Sequence, residues 1–391
     1  MERRTDKYQA VKIYDRENIA ALHWDAYKDG AYAKQFLLPL ITGNPQTYIK
    51  NADCEVAVLA FGEYLLPLVL GNTGARANSY VCSPYAQYIR YAKKEMDIEF
   101  PKKPLFRITA KLILSIAGVF CKACRFDRVV YVNNWLLSTN LYHEFDPAQL
   151  EQLRDLLIAH YPGRAIVFRS VNERLNAALL QKLKNIGFHD LLSRQVYIVD
   201  YRNKTYTKRT DFKNDEKLFQ QLNEFEWTTA ETITDAELPV LKSLYDTLYI
   251  SKYSDINPQF TLAFVRHAQR TGILQFQVFR HNSKIVAVIG FFVRDGVMTN
   301  PFVGYDFSYP AETGLFRMLV FRAIKEAERM QVVFNMSSGA SRFKQTRGAE
   351  AAIEYNLVYT AHLKWIQQRP WRFFKWLSHR VVIPVMKKNK L

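Results

Sequence analysis

Three apolar runs, at 274–280, 285–294 and 297–305, follow one another with only a few residues around His281-Asn282-Ser283 and then Asp295-Gly296 between them. Connections this short cannot cross a sheet. They can only turn the chain back, which commits the three runs to an antiparallel meander. After the meander the period changes: 314–329 carries a helical stripe, 332–336 is apolar and β-like, 341–346 is a short helical stretch, and 353–360 reads as a closing strand. Helical segments at 218–223, 235–249 and 258–269 lead into this block.

The first half runs in the same order. Residues 56–61 and 65–70, joined at Gly62-Glu63, read as a hairpin of buried strands, and 129–137 as a strand with Asn133 and Asn134 at its centre. Pro147 opens a helix over 147–160 with Leu150, Leu153, Leu156 and Leu157 on one face. A strand at 165–169, a helix at 173–185 stopped by Gly187, and a strand at 193–200 complete it, and 18–32 reads as a helix before the hairpin. Between the halves, 201–216 is polar and charged with no apolar period, the pattern of a linker. The expectation is an α/β chain of two similar halves with mixed central sheets: 1–200, a linker at 201–216, 217–363, and a tail at 364–391. A length of 391 residues, 49% of them hydrophobic, suffices for two cores.

The net charge is +17, and residues 364–391 alone contribute eight Lys or Arg and no acid. In that tail Trp365, Trp371, Trp376, Phe373 and Phe374 alternate with Arg369, Arg372, Lys375 and Arg380. The mixture suits the headgroup boundary of an anionic membrane, a docked terminal helix, or stacking on RNA. The start, Met1-Glu2-Arg3-Arg4, has no apolar export segment. The longest apolar run, 112–121, is half of the roughly 20 residues a membrane span needs. The expected compartment is therefore the cytoplasm, with nothing crossing a bilayer and peripheral attachment at the inner membrane face through 364–391. Cys54, Cys82, Cys121 and Cys124 include one C-x-x-C without a second, and read as small buried hydrophobes rather than metal ligands. None of the histidines stands in a metal or triad spacing.

Several residues are candidates on their chemistry. Tyr305 and Asp306 end the third meander strand, where a hydroxyl and a carboxylate can donate and accept protons. Ser337-Ser338-Gly339 leaves a strand as a turn able to present amides to an anion, with Arg342, Lys344 and Arg347 following it. Lys252, Tyr253 and Asn257 lie between two helical segments and suit an acceptor-binding loop. Asn133-Asn134 with Ser138-Thr139-Asn140 reads as a buried amide network, or as the polar wall of a cleft between the halves.

The run Gly304-Tyr305-Asp306, Tyr309, Gly314-Leu315-Phe316, Ala323-Ile324, Ala327, Phe334, Ser337-Ser338-Gly339, Phe343-Lys344 and Gly348-Ala349-Glu350 resembles the GNAT branch that holds Fem-type peptidyl transferases and CelD-like acyltransferases. In the first half, Asn172-Glu173-Arg174-Leu175-Asn176 through Gly187-Phe188 resembles a late GNAT motif. The resemblance implies two tandem GNAT-like domains and an acyltransferase with no tightly bound cofactor. Its donor would be acyl-CoA or an acyl-carrier protein and its acceptor an amine. Alternatives are a Fem-type transfer from aminoacyl-tRNA, or a non-catalytic membrane- or RNA-binding module on the same scaffold. It also implies Asp306 as base, Tyr305 as proton donor to the leaving thiolate, Lys344 beside substrate phosphate or carbonyl groups, and Gly314 at the pyrophosphate-binding helix start. The Gly-rich loop usual at that point is absent, which suits a carrier-bound donor.

Overall fold

The computed structural model describes residues 11–74, 77–99 and 103–388. The opening residues read for an export signal lie outside this range. Among the described residues twelve strands form one mixed sheet: β1 Lys12–Tyr14, β2 Cys54–Phe61, β3 Tyr64–Gly71, β4 Val129–Val132, β5 Ala165–Asn172, β6 His189–Val199, β7 Phe225–Thr229, β8 Gln275–His281, β9 Lys284–Arg294, β10 Val297–Tyr305, β11 Val333–Asn335 and β12 Glu350–Tyr359. Their order across the sheet is β1-β2-β3-β4-β5-β12-β6-β11-β10-β9-β8-β7. Twelve helices flank it: α1 Gly30–Thr42, α2 Ala92–Glu99, α3 Pro104–Ala123, α4 Pro147–His160, α5 Ala177–Asn185, α6 Thr210–Gln221, α7 Leu238–Tyr245, α8 Leu262–Thr271, α9 Leu315–Arg329, α10 Ser341–Thr346, α11 Trp365–Leu377 and α12 Ile383–Lys388.

Each half contains one parallel pair, β4 with β5 and β10 with β11. Each half also gives away its last strand. β12, from the second half, pairs with β5, and β6, from the first half, pairs with β11. The exchanged strands run antiparallel to each other, from Glu350 opposite Ile198 to Val358 opposite His189. The two expected sheets are thereby joined edge to edge, and the strand edges that separate domains would have exposed are paired. The chain is thus two similarly ordered α/β halves related by strand exchange. One hydrophobic cluster is common to both, running from α1 and β4 to α7, α8 and α11, while each half keeps a second cluster on the opposite face.

The hairpin, the meander, α4 and α10 form where the residues indicated. Other boundaries differ for local reasons. The helix expected at 18–32 starts only at Gly30, behind two 3₁₀ turns and Asp29 in the left-handed region at φ 56°. The strand expected at 129–137 ends at Val132, because Asn133 and Leu136 take φ values of 55° and 56°. β5 runs on to Asn172, so the helix expected from 173 begins at Ala177.

The stretch 201–216 is not an open linker. It holds a 3₁₀ turn at Thr205–Lys208 and most of α6, which packs on α9 through Phe212 and buries Asp215. A narrow apolar stripe with an acid inside it leaves no readable helical period.

The run at 112–121 belongs to α3, a helix of 20 residues that is long and apolar enough to cross a membrane by length and composition. Within the tail, α11 divides its aromatics. Trp371 and Phe374 are buried, their rings 4.3 and 5.4 Å from that of Phe126, while Trp365 and Trp376 are exposed. The four cysteines are buried free thiols.

Candidate active site between the two halves

In each half the parallel pair marks where the sheet can open. In the first half that opening is filled by the chain itself. β4 stops at Val132, and residues 133–142 turn off it largely buried, Asn140 N donating to Ser170 Oγ and Tyr142 Oη to the Arg169 carbonyl of β5. Asn133 Nδ2 donates to the Leu141 carbonyl at 2.8 Å, and Trp135 Nε1 donates to Asn133 Oδ1 at 2.8 Å. Asn134 Nδ2 donates to the Val81 carbonyl, and Arg169 Nη1 donates to Asn134 Oδ1 at 3.1 Å. The Asn133-Asn134 pair is therefore a satisfied buried network, as buried amides require.

The second half differs. β10 pairs with β11 only from Val297 opposite Val333 to Thr299 opposite Asn335. Pro301, which has no N–H to give, follows two residues on, and the register with β9 slips between Thr299 and Phe302, a bulge that bends the strand. Residues 333–337 stay with β6, Met336 N donating to Tyr197 O at 2.8 Å and Tyr197 N donating to Ser337 O at 3.2 Å. Beyond Thr299 the edge of β10 that faces β11 makes no backbone hydrogen bond among the described residues.

At the mouth of this opening a run of rings is half-buried or exposed. Tyr305 lies 4.5 Å from Phe307 and 5.8 Å from Phe316 between centroids, and Phe316 lies 4.9 Å from Phe343. Lys252 Nζ sits 4.7 Å from the Phe307 ring centre. Lys252 and Tyr253 end a π-helical segment, Asp246–Tyr253, of the kind frequent at functional sites. Burial and the neighbouring Tyr253 raise the Tyr305 phenol above its ordinary value, so it keeps its proton at neutral pH. Gly304 is required here: a Cβ at this position would lie 2.4 Å from the Leu244 carbonyl carbon, against the backbone of α7. Gly304→Ala is expected to push α7 off β10 and cost about 1–3 kcal/mol, read as a lower urea midpoint.

The remaining candidates divide. Lys344 is 6% exposed, and its ammonium donates to the carbonyls of Met336 at 2.7 Å, Ser337 at 3.2 Å and Ser338 at 2.7 Å. Burial, then Arg194, lowers it to about 7, while the three carbonyls pull the other way. It is not a free cation beside an anion nest but the clamp on that turn, whose Ser337 and Gly339 take φ values of 59° and 79°. Arg347 is buried as well. Its guanidinium binds Asp215, with one contact at 3.1 Å, and stacks on Phe343 at 3.5 Å. Arg342 and Ser338 stay exposed.

Asp306 closes an Asx turn, Oδ1 accepting from Ser308 N at 2.8 Å, so this oxygen is engaged in structure rather than free as a base. Asn257 is buried and donates to the Tyr249 carbonyl at 2.9 Å, which holds the loop rather than an acceptor. Gly314, at φ 73°, precedes α9, and a Cβ there would lie 2.6 Å from the Leu218 side chain. Its task is the approach of α6.

Sequence reasoning missed the group at the centre of the exchange. Arg194 on β6 stands directly opposite Glu354 on β12, its Nε donating to Oε1 at 2.8 Å. Its Nη2 donates to Ser138 O at 2.7 Å and Thr139 Oγ1 at 2.9 Å, and Thr139 Oγ1 lies 3.4 Å from Ser337 Oγ. Burial pulls the Arg194 guanidinium down, and Glu354 with Tyr80 and Tyr91 more than reverses this. An arginine and a glutamate, each in the middle of a strand, were the signal available. Among the described residues no cluster of His, Cys, Asp and Glu is placed to hold a metal ion.

No family model matches the chain, and no curated protein matches it. Among solved structures it is similar to a conserved protein from Bacteroides thetaiotaomicron, 11% identical over 90% of this chain and 100% of that one, at a TM-score of 0.48. FemX is 7% identical over 63% of this chain and 83% of its own, at 0.47. A tandem GNAT protein from the clavulanic acid biosynthesis pathway is 10% identical over 89% and 98%, at 0.38.

Proposed function

We propose that this protein is an N-acyltransferase acting in the opening between β10 and β11, where it moves an acyl group from a thioester donor to an amine. One observation carries the reading: beyond the parallel pair of the first half, residues 133–142 are largely buried and bond to the end of β5, Asn140 N donating to Ser170 Oγ and Tyr142 Oη to the Arg169 carbonyl, whereas among the described residues the edge of β10 beyond Thr299 makes no such bond. Unpaired N–H and C=O groups on a strand edge bind an extended amide-bearing arm as an added strand would, which is what the donor arm of CoA or of a carrier protein offers.

In the reaction the amine nitrogen attacks the thioester carbonyl carbon, and collapse of the tetrahedral adduct breaks the C–S bond. The amine's proton leaves to solvent and the departing thiolate takes one from the Tyr305 hydroxyl, which burial keeps protonated. Lys344 acts as a positioning residue: it holds the 336–338 turn that walls the opening opposite β10. The Arg194–Glu354 pair ties the first half to the same wall through Thr139.

The test is the intact mass of amine products after incubation with acyl-CoA, acyl-carrier protein and aminoacyl-tRNA, each offered to an amine panel. An acylated product from either thioester is the expected result. Product from aminoacyl-tRNA alone replaces the donor class, and no product from any donor overturns the enzyme reading.

A further inference from the structure

α3 is amphipathic in reverse. Its inward side is narrow: Leu114, Ala117 and Cys121 pack on the core and Gly118 lets Tyr85 approach to where a Cβ would be 3.1 Å from its hydroxyl, while on its flank Lys111 pairs with Asp97 at 2.6 Å and Ser115 accepts from Lys93 at 2.8 Å. Its outward side carries Leu105, Ile108, Leu112, Ile116 and Val119 at helical spacing, with Leu105 80% and Val119 71% exposed. A surface helix ordinarily turns such a stripe inward, and a contiguous exposed apolar surface marks a binding face.

α11 lies alongside. With Trp371 and Phe374 packed on Phe126, the helix is fixed so that Trp365 and Trp376 point away from the core, 64% and 55% exposed. A groove of about 630 Å³ runs between the two helices, walled by Ile113, Ile116 and Phe120 on one side and Arg369, Arg372 and Phe373 on the other.

We infer that α3 and α11 together form a single docking face for an anionic lipid bilayer, with both helices lying in the interface. The charge decides the occupant. Arg369 and Arg372 wall the groove beside the apolar stripe, Lys122 stands in the last turn of α3, and 364–391 contains eight Lys or Arg and no acid. Two copies meeting through this face would oppose like charges, whereas anionic headgroups would neutralise them while acyl chains cover the stripe. The tryptophans stand where an interfacial ring sits, one end apolar and one wet. α3 lies on the bilayer rather than through it, since its other side is packed on the core through Leu114, Ala117, Gly118 and Cys121. The tail thus joins the core and the membrane face at once, and the larger apolar share comes from α3. The inference stands independently of the proposed acyl transfer.

The test is co-sedimentation of the full-length protein with phosphatidylcholine vesicles, with and without phosphatidylglycerol. Wild type is expected to sediment with the anionic vesicles only, and less as salt rises. Ile116→Glu with Val119→Glu should lower the partition coefficient by about ten-fold or more at an unchanged unfolding midpoint. Trp365→Ala with Trp376→Ala should do the same in part, and serves if the glutamate pair does not fold. Wild type left in the supernatant, equal sedimentation with both vesicle types, or foldable variants that bind as wild type would each overturn the proposal. So would a dimer dissolved by the same substitutions in a protein that ignores vesicles.

Discussion

Asp215→Ala is expected to cost about 3–5 kcal/mol of stability, seen as a large fall in the urea unfolding midpoint. Asp215 is 1% exposed and sits between two guanidiniums, that of Arg347 and that of Arg317, whose Nε donates to it at 2.7 Å. Arg317 is partly exposed and can turn to water. Arg347 cannot: without Asp215 it keeps only the Phe343 ring, the Phe343 carbonyl, Thr346 and a longer contact with Asp211 at 3.5 Å. Removing one partner of a buried pair strands the other charge, whereas removing both does not. Asp215→Leu with Arg347→Met should therefore recover most of the loss. A single substitution costing less than about 1 kcal/mol would show that the pair lies in water's reach. The stretch that reads as a linker would then be one in fact.

Lys344→Ala is expected to lower kcat/KM more than ten-fold, over about 1.4 kcal/mol of barrier, in a protein that still folds. The loss would come through position. Three carbonyls that share one ammonium would be left facing a void, and the 336–338 turn would relax away from β10. A purely structural role predicts lower stability with unchanged turnover per folded molecule. The pH dependence separates the two. Since burial and Arg194 bring Lys344 down to about 7, raising pH through that value removes one of its three donor protons. Wild-type kcat/KM should bend downward there, or higher where the carbonyls hold the charge, and the bend should be missing in the alanine variant. An identical profile in both proteins would return Lys344 to a structural clamp alone.

The residues made local structure legible and long-range pairing illegible. The meander is forced by turns too short for any other connection, and α4 announces itself with Pro147 and a leucine stripe. Nothing local says that β12 pairs with β5 and β6, because the exchange is decided by edges that meet only in the folded chain. The same blindness hid Arg194 and Glu354, which are ordinary charges until the register sets them opposite each other. α3 escaped notice because most of its large apolar residues face outward, the inverse of the pattern a helix reading looks for. At the site, Tyr305 and Lys252 both approach Phe307, a meeting of a strand end with a segment read as a loop between helices that sequence spacing does not show. Lys344 and Arg347 looked like free cations because sequence spacing does not show which acceptors surround them, and Asp306 proved to be its own turn's cap.

Amide hydrogen exchange of the full-length protein, with and without a non-reactive thioether analogue of an acyl-CoA or acyl-carrier donor, reads out whether the open edge of β10 binds the donor. Amides in 300–305 that make no bond to β9 are expected to exchange fast in the free protein and to slow by about ten-fold or more when the analogue binds, because the donor arm would occupy the open edge. Residues 133–142 and 169–172, already bonded within the first half, should not change. Protection confined to that first-half set, or an analogue that binds and leaves 300–305 exchanging as before, would contradict the claim that the second half's open edge is the site of transfer.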